Sequence, residues 1–196
     1  MHYRGPLISV ATACIEAPDG QRYERDVVHH PGAVSVVPVA WAGDRGGAGG
    51  GVGAGDGEGG AGRGLRAFDV ILVRQYRAAV DQELLEVVAG KRDVAGEPPE
   101  VTAHRELAEE VGMVAGRLEL LCEFFNSPGF CDEHSFIFLA QDLQPTASET
   151  QGVEEAYMTI ERVPLADVAS MIERREIVDG KTIIALTLAR EALARP

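Results

Sequence analysis

The chain has 196 residues, 45% of them hydrophobic, with a mean hydropathy near zero, enough apolar material for one globular domain or one domain with an appendage. Its 31 acidic residues against 18 Lys and Arg give a formal net charge of −13, which disfavours partners such as nucleic-acid backbones and anionic membranes. No apolar stretch approaches the roughly 20 residues of a membrane span, and the N-terminus lacks a signal-peptide pattern. Cys14, Cys122 and Cys131 show no paired or metal-ligand spacing, so reduced thiols in the cytoplasm are expected.

Residues 7–16, LISVATACIE, alternate as a strand, and Ala17-Pro18-Asp19-Gly20 is a turn signal. Tyr23 to His30 reads as the returning strand, and Pro31-Gly32 breaks the run. Residues 1–32 are thus an N-terminal β-hairpin or accessory sheet, too small to fold alone. Ala33 to Trp41 and Phe68 to Tyr76 have the apolar density of strands covered on both faces. Between them, 13 of the 22 residues from Gly43 to Gly64 are glycine. Such a segment cannot bury enough surface to offset its ordering entropy. A strand follows it, where a phosphate loop needs a helix, so a flexible hairpin tip is expected.

Leu84 to Ala89 is a short strand, then a glycine loop, then a helix over residues 98–111 that ends at Gly112. Leu118 to Ser127, His134 to Ala140 and Ala156 to Val163 read as further strands. Helical spacing returns over Pro164 to Glu173 and over Lys181 to Leu193. Strands flanked by a few helices predict a layered α/β or α+β sandwich.

The helix at 98–111 carries the chemistry. Glu106, Glu109 and Glu110 stand at offsets of three and four, on one helical face. Like charges at that spacing repel, so a cation belongs among them, and hard oxygen ligands suit Mg²⁺ or Mn²⁺. Arg105, four residues before Glu109, can hold that carboxylate. Leu107, Ala108 and Val111, with Val101 and His104, are expected on the core side.

Gly90 to Met113, GKRDVAGEPPEVTAHRELAEEVGM, resembles the Nudix box G-x5-E-x7-R-E-U-x-E-E-x-G-U, where U is aliphatic. Glu97, Arg105-Glu106, Leu107, Glu109-Glu110, Gly112 and Met113 all fall in register. Six residues separate Gly90 from Glu97 where the family has five, an insertion that a loop tolerates. The resemblance implies a Nudix-type α/β/α sandwich over residues 33–196.

Three segments outside the box are similar to the ADP-ribose pyrophosphatase branch. Val73-Arg74-Gln75-Tyr76-Arg77 resembles its V-R-Q-Y-R segment and implies diphosphate contacts from Arg77 and, less directly, Arg74. Leu85-Glu86-Val87-Val88-Ala89-Gly90 resembles L-E-x-P-A-G, with Val88 in place of proline, and implies the Ala89 carbonyl as a metal ligand. Asn126 to Glu133 resembles the S-P-G-x-x-x-E loop beside the substrate, which brings Ser127, Gly129 and Glu133 into the expected site. Arg25 of the N-terminal sheet is a further candidate for reaching the substrate.

By this resemblance the reaction is Mg²⁺-dependent hydrolysis of ADP-ribose to AMP and ribose 5-phosphate, with Mn²⁺ as an alternative ion. Glu106, Glu109, Glu110 and the Ala89 carbonyl form the metal set, with Glu109 also counted among the catalytic residues. The general base, which must reach the attacking water, is expected from the late acidic loop as Glu154 or Glu155. Glu97 is assigned a supporting role. The branch further implies a homodimer built partly by the N-terminal sheet. The rival substrates are UDP- or GDP-sugars, NADH and dinucleoside polyphosphates. The rival class is a non-catalytic nucleotide sensor, which the intact acidic trio disfavours.

Overall fold

The computed structural model describes residues 1–43, 64–146 and 157–195. The first strands, β1 (Tyr3–Arg4), β2 (Ser9–Glu16) and β3 (Arg22–His29), form a separate antiparallel sheet in that order. The turn expected at Ala17 to Gly20 is present, with Gly20 at φ +82° and its N–H donating to the Ala17 carbonyl at 2.8 Å.

The second sheet is seven-stranded and built around β4 (Ala33–Trp41). One edge of β4 pairs in parallel with β9 (His134–Pro145), which pairs in turn with β8 (Met113–Phe125). The other edge is shared: residues 39–41 pair with β5 (Phe68–Arg77), and residues 33–36 pair with β7 (Val88–Lys91). β6 (Gln82–Glu86) and β10 (Thr159–Pro164) flank β5. Trp41 and Phe68 are register partners whose rings stack at 4.8 Å, so the glycine-rich connection starts and ends on adjacent strands. Most of that connection, residues 44–63, lies outside the described residues.

Strand period sorts the core into two layers. Val34, Val36, Ile71, Val73, Phe138 and Ala140 point to one face and pack with Ala103, Leu107 and Val111 of α1 (Pro99–Val111). The alternate residues Val37, Val39, Val70, Leu72, Ile137 and Leu139 point to the other. There they meet Val168 of α2 (Val168–Glu173) and Ala185, Leu186 and Ala189 of α3 (Gly180–Ala194). Each fully buried Leu or Val in such a layer contributes roughly 1.5–3 kcal/mol relative to leaving it exposed. Helix, sheet and helix make the expected α/β/α sandwich.

Several expected elements differ in extent. The stretch Leu84 to Ala89 is two strands rather than one, because Gln82–Glu86 follows β5 while Val88–Lys91 crosses to β4. Val87, fully buried between them, donates its N–H to Thr182 Oγ1 at 3.1 Å. β8 begins directly after Gly112, and β9 runs on to Pro145, because the two pair along most of their length. The helix expected from Pro164 starts at Val168, since Pro164 still pairs with Asp69 in the sheet. On α1, Val101 and His104 are exposed, and Thr102 and Ala103 are buried instead. The core stripe is 103, 107 and 111, a four-residue row turned one position from the expected face.

Candidate active site

A cavity of about 930 Å³ opens between α1, β7, the end of β5, the loop after β8 and the start of α3. Its first wall is α1. That helix begins with Pro99 at its first position, where a missing N–H costs nothing. It ends at Gly112, whose left-handed φ of 63° lets its N–H reach the Ala108 carbonyl at 3.1 Å. Arg105, Glu106, Glu109 and Glu110 all line the cavity. Arg105 Nη1 donates to Glu106 Oε1 at 2.8 Å and to Glu109 Oε2 at 3.4 Å. The same guanidinium lies 3.6 Å from Glu97, which accepts a 2.6 Å hydrogen bond from Thr102 Oγ1. Glu97 does not itself line the cavity; it steadies Arg105 and the first turn of α1.

β7 forms the floor. Ala89 and Gly90 line the cavity, and the Ala89 N–H donates to Glu110 Oε2 at 3.3 Å. The glycine is required by space: a Cβ on Gly90 would lie 1.8 Å from Glu106 Cδ. The carboxyl of Glu106 therefore rests on the bare backbone of β7. Burial pushes the Glu106 carboxyl up to about 7; Arg105 pulls it down, and Glu109 adds to the rise. Among the described residues, no three His, Cys, Asp or Glu side chains converge tightly enough to form a ready cation cage. The donors nonetheless suit a hard divalent ion: carboxylate oxygens beside a backbone carbonyl, one carboxyl carrying a charge that burial disfavours.

The second wall comes from β5, β6 and α3. The row of β5 that runs Ile71, Val73, Gln75 and Arg77 shares its face with α1, so its apolar start joins the core and its polar end emerges in the cavity. Arg77 donates from Nε and Nη2 to the two oxygens of Glu86, at 2.7 and 2.8 Å. Glu86 is fully buried, and Lys181 Nζ also donates to it. The Glu86 hydrogen bond holds the Arg77 guanidinium above its usual value, against burial and with help from Asp179 and Glu110.

The loop Asn126 to Glu133 closes the mouth. Asn126, Ser127 and Glu133 line the cavity, together with His30. The N-terminal sheet grips this loop: Val28 and Phe130 share a 2.7 Å backbone hydrogen bond, and the Asp132 N–H donates to Val28 O at 3.1 Å. Asp132 Oδ2 lies 2.6 Å from His29 Nδ1, and Oδ1 accepts from the His30 N–H at 2.8 Å. Burial opposes the charge of Asp132, but these bonds prevail and hold its carboxyl below the usual range.

The structure thus brings together Ala89, Glu106, Glu109, Glu110, Arg77, Ser127 and Glu133 around one cavity. Three candidates stand apart from it. Arg74 points to the other face of β5 and pairs with Glu161 Oε1 at 2.5 Å. Arg25 is exposed, donating to the Glu24 carbonyl and lying over Tyr23. Gly129 is not among the lining residues. Glu154 and Glu155 lie outside the described residues. Sequence reasoning missed Gln75, Glu86, Asp179 and Lys181. Gln75 shares the period-two row of Arg77 and could have been found that way. Lys181 meets Glu86 across 95 positions and left no local signal.

Comparison with known proteins decides the family. The NUDIX domain family model matches residues 60–182. The chain belongs to the Nudix family. This Nudix chain is 32% identical to the "ADP-ribose pyrophosphatase" of Bacillus subtilis (strain 168), over 94% of its own length and 85% of that protein's. It is 34% identical to the "ADP-ribose pyrophosphatase" of Mycobacterium tuberculosis (strain ATCC 25618 / H37Rv), over 92% and 75% respectively. Among solved structures, an "ADP compounds hydrolase" superposes with a TM-score of 0.74 at 26% identity, covering 97% of this chain and 89% of that one.

Proposed function

We propose that this protein hydrolyses ADP-ribose to AMP and ribose 5-phosphate in the presence of Mg²⁺, with Mn²⁺ able to replace it. The observation that carries the reading is the cavity itself: the acidic trio of α1 and the Arg77 guanidinium line one space, in a chain related to two ADP-ribose pyrophosphatases. A bound divalent ion supplies neutralisation of phosphate charge and acidification of water.

Glu106, Glu109, Glu110 and the Ala89 carbonyl are the residues that would hold it. Arg105 keeps the carboxylates of Glu106 and Glu109 gathered on the cavity side of α1. Arg77 binds diphosphate oxygens and orients the bond to be cleaved. Ser127 and Glu133 border the substrate at the mouth. Glu154 or Glu155 accepts the proton of the attacking water. Water attacks one phosphorus, the bond from that phosphorus to the bridging oxygen breaks, the bridging oxygen leaves with the other phosphate, and the proton of the water passes by way of the base to solvent.

We place the protein in the cytoplasm as a homodimer, with the N-terminal sheet contributing to the interface. Two features support the dimer: the sheet is separate from the main one, and much of β3 is exposed.

Incubation of the purified protein with ADP-ribose and Mg²⁺ yields AMP and ribose 5-phosphate on this reading. Parallel incubations with UDP- and GDP-sugars, NADH and dinucleoside polyphosphates distinguish the rivals. Turnover of one of those without AMP from ADP-ribose overturns the substrate assignment. No turnover of any, with tight binding, identifies a sensor.

A further inference from the structure

We propose that Asp93 is a positioning residue for the cation site: it takes up the Arg105 guanidinium as Glu106 and Glu109 turn their oxygens to a divalent ion. This rests on the reading that the acidic face of α1 holds that ion.

The stretch joining β7 to α1 is where this chain departs from the Nudix pattern, with six residues between Gly90 and Glu97 in place of five. The Glu97 N–H donates to the Val94 carbonyl at 3.1 Å, and Gly96 supplies the left-handed φ of 79° that closes the turn. Asp93, just before that turn, lines the cavity beside Arg105. Its side chain is 65% exposed, and its Oδ1 lies 3.8 Å from Arg105 Nη2. Among the described residues it accepts no hydrogen bond.

Donor accounting at Arg105 gives this proximity a meaning. A guanidinium carries five N–H donors. Nη1 donates to Glu106 at 2.8 Å and to Glu109 at 3.4 Å. Nε and Nη2 are buried without a hydrogen-bond partner. Buried donors left unpaired cost free energy, so the guanidinium is held on one side only. Two carboxylates stand just beyond hydrogen-bond reach of Nη2: Glu97 at 3.6 Å and Asp93 at 3.8 Å. Glu97 is the less available, because it is mostly buried and the same oxygen already accepts from Thr102 Oγ1. Asp93, exposed beside a turn, can close its gap by rotating its own side chain.

Charge gives the direction. The oxygens that Arg105 holds belong to the carboxylates that a cation needs, and guanidinium and divalent ion repel each other at such range. Arg105 therefore has to loosen Nη1 before Glu106 and Glu109 can serve as ligands. A shift of about 1 Å toward Asp93 would give Nη2 an acceptor in exchange. Asp93 is also among the charges that push the Glu106 carboxyl up, behind burial and Glu109. A direct pull of its charge on the ion is thus the rival role.

The two roles are separated by Mn²⁺ titration of ion-free protein, followed by the paramagnetic resonance signal of free Mn²⁺, with thermal midpoints recorded for each variant. Asp93→Asn weakens Mn²⁺ binding by roughly fivefold with little change in midpoint. Asp93→Glu, which keeps the carboxylate on a longer stem, recovers most of it. In an Arg105→Gln background, Asp93→Asn has almost no further effect, because the group it positions has gone. An effect of Asp93→Asn below twofold in the wild-type background overturns the proposal. So does a loss that Asp93→Glu shares, which would mark the loop's shape, or an equal loss in both backgrounds, which would mark direct charge. Should Arg105→Gln not fold, crystals loaded with Mn²⁺ decide: Nη2 at hydrogen-bonding distance from Asp93 supports the proposal, and a longer separation overturns it. Glu110→Gln is titrated in parallel. If it binds Mn²⁺ as tightly as wild type, the metal reading falls and this proposal with it. If it binds more weakly while Asp93→Asn matches wild type, only the role of Asp93 falls.

Discussion

The two walls of the cavity are built by opposite strategies. The acidic wall is local: Arg105, Glu106, Glu109 and Glu110 come from two turns of one helix, and the Ala89 N–H of the adjoining strand β7 donates to Glu110. The second wall is assembled from Gln75 and Arg77 on β5, Glu86 on β6, and Lys181 on α3. The electrostatics differ as well. On α1 the like charges stand together, and burial drives the Glu106 carboxyl up to about 7. On the second wall each charge has an opposite: Arg77 is raised by its bond to Glu86, and Asp179 is held low by Lys181 and Thr182 despite its burial. One wall is incomplete until a cation arrives. The other is neutralised internally.

That contrast is most sharply tested at Glu110. Glu110→Gln keeps the shape and removes one ligand charge from the incomplete wall, which should cost about 3 kcal/mol of transition-state stabilisation, on the order of a hundredfold in kcat. The thermal midpoint of the metal-free protein should hold or rise, since a repelling charge has gone. Full activity in Glu110→Gln would mean that the ion is held elsewhere.

Gly90→Ala probes the floor between the walls. The new methyl would meet the Glu106 carboxyl end at 1.8 Å, and a side-chain end can swing away without disturbing the fold. We expect activity to fall by roughly tenfold to thirtyfold, as for a disturbed ligand environment, with little change in the thermal midpoint. Equal losses of activity and stability would show that Gly90 serves packing alone.

The smallest expected effect is on stability against pH. The folded-state pKa of Glu106, about 7, lies above its ordinary value of 4.5, so the folded protein binds this proton more tightly than the unfolded chain. Its contribution is complete below the ordinary value and is lost as pH rises through about 7. Solvent on the open side of the cavity screens the effect to on the order of 1 kcal/mol. Denaturant titrations of metal-free protein from pH 4.5 to 8 should show that decline, and Mg²⁺ should shrink it. A decline unchanged by Mg²⁺, or absent altogether, would separate Glu106 from the ion.

What was legible in the sequence follows the same division. The acidic trio, its arginine and the Gly112 stop are spaced by helix geometry, so the sequence alone puts Glu106, Glu109 and Glu110 on one face. The strands with uniform apolar density, Ala33 to Trp41 and Phe68 to Tyr76, are legible nearly to the residue because both of their faces are buried. His104 is exposed, not on the core side, because one polar residue on an amphipathic helix shifts the apparent stripe by a single position. The break at Val87 was invisible because LLEVVA is apolar throughout, and only tertiary pairing divides it between β5 and β4. The V-R-Q-Y-R segment favours Arg77 over Arg74 by resemblance alone, and the odd offset that sends them to opposite faces of the strand supplies the physical reason. Lys181 could not have been found at all without the contact that joins α3 to β6.

The most direct test is an anomalous difference map from crystals grown with Mn²⁺ and a non-hydrolysable ADP-ribose analogue. The expected result is an Mn²⁺ peak bounded by Glu106, Glu109, Glu110 and the Ala89 carbonyl, with diphosphate oxygens on Arg77. A diphosphate seated outside this cavity, or Mn²⁺ bound away from the glutamate face of α1, would contradict it.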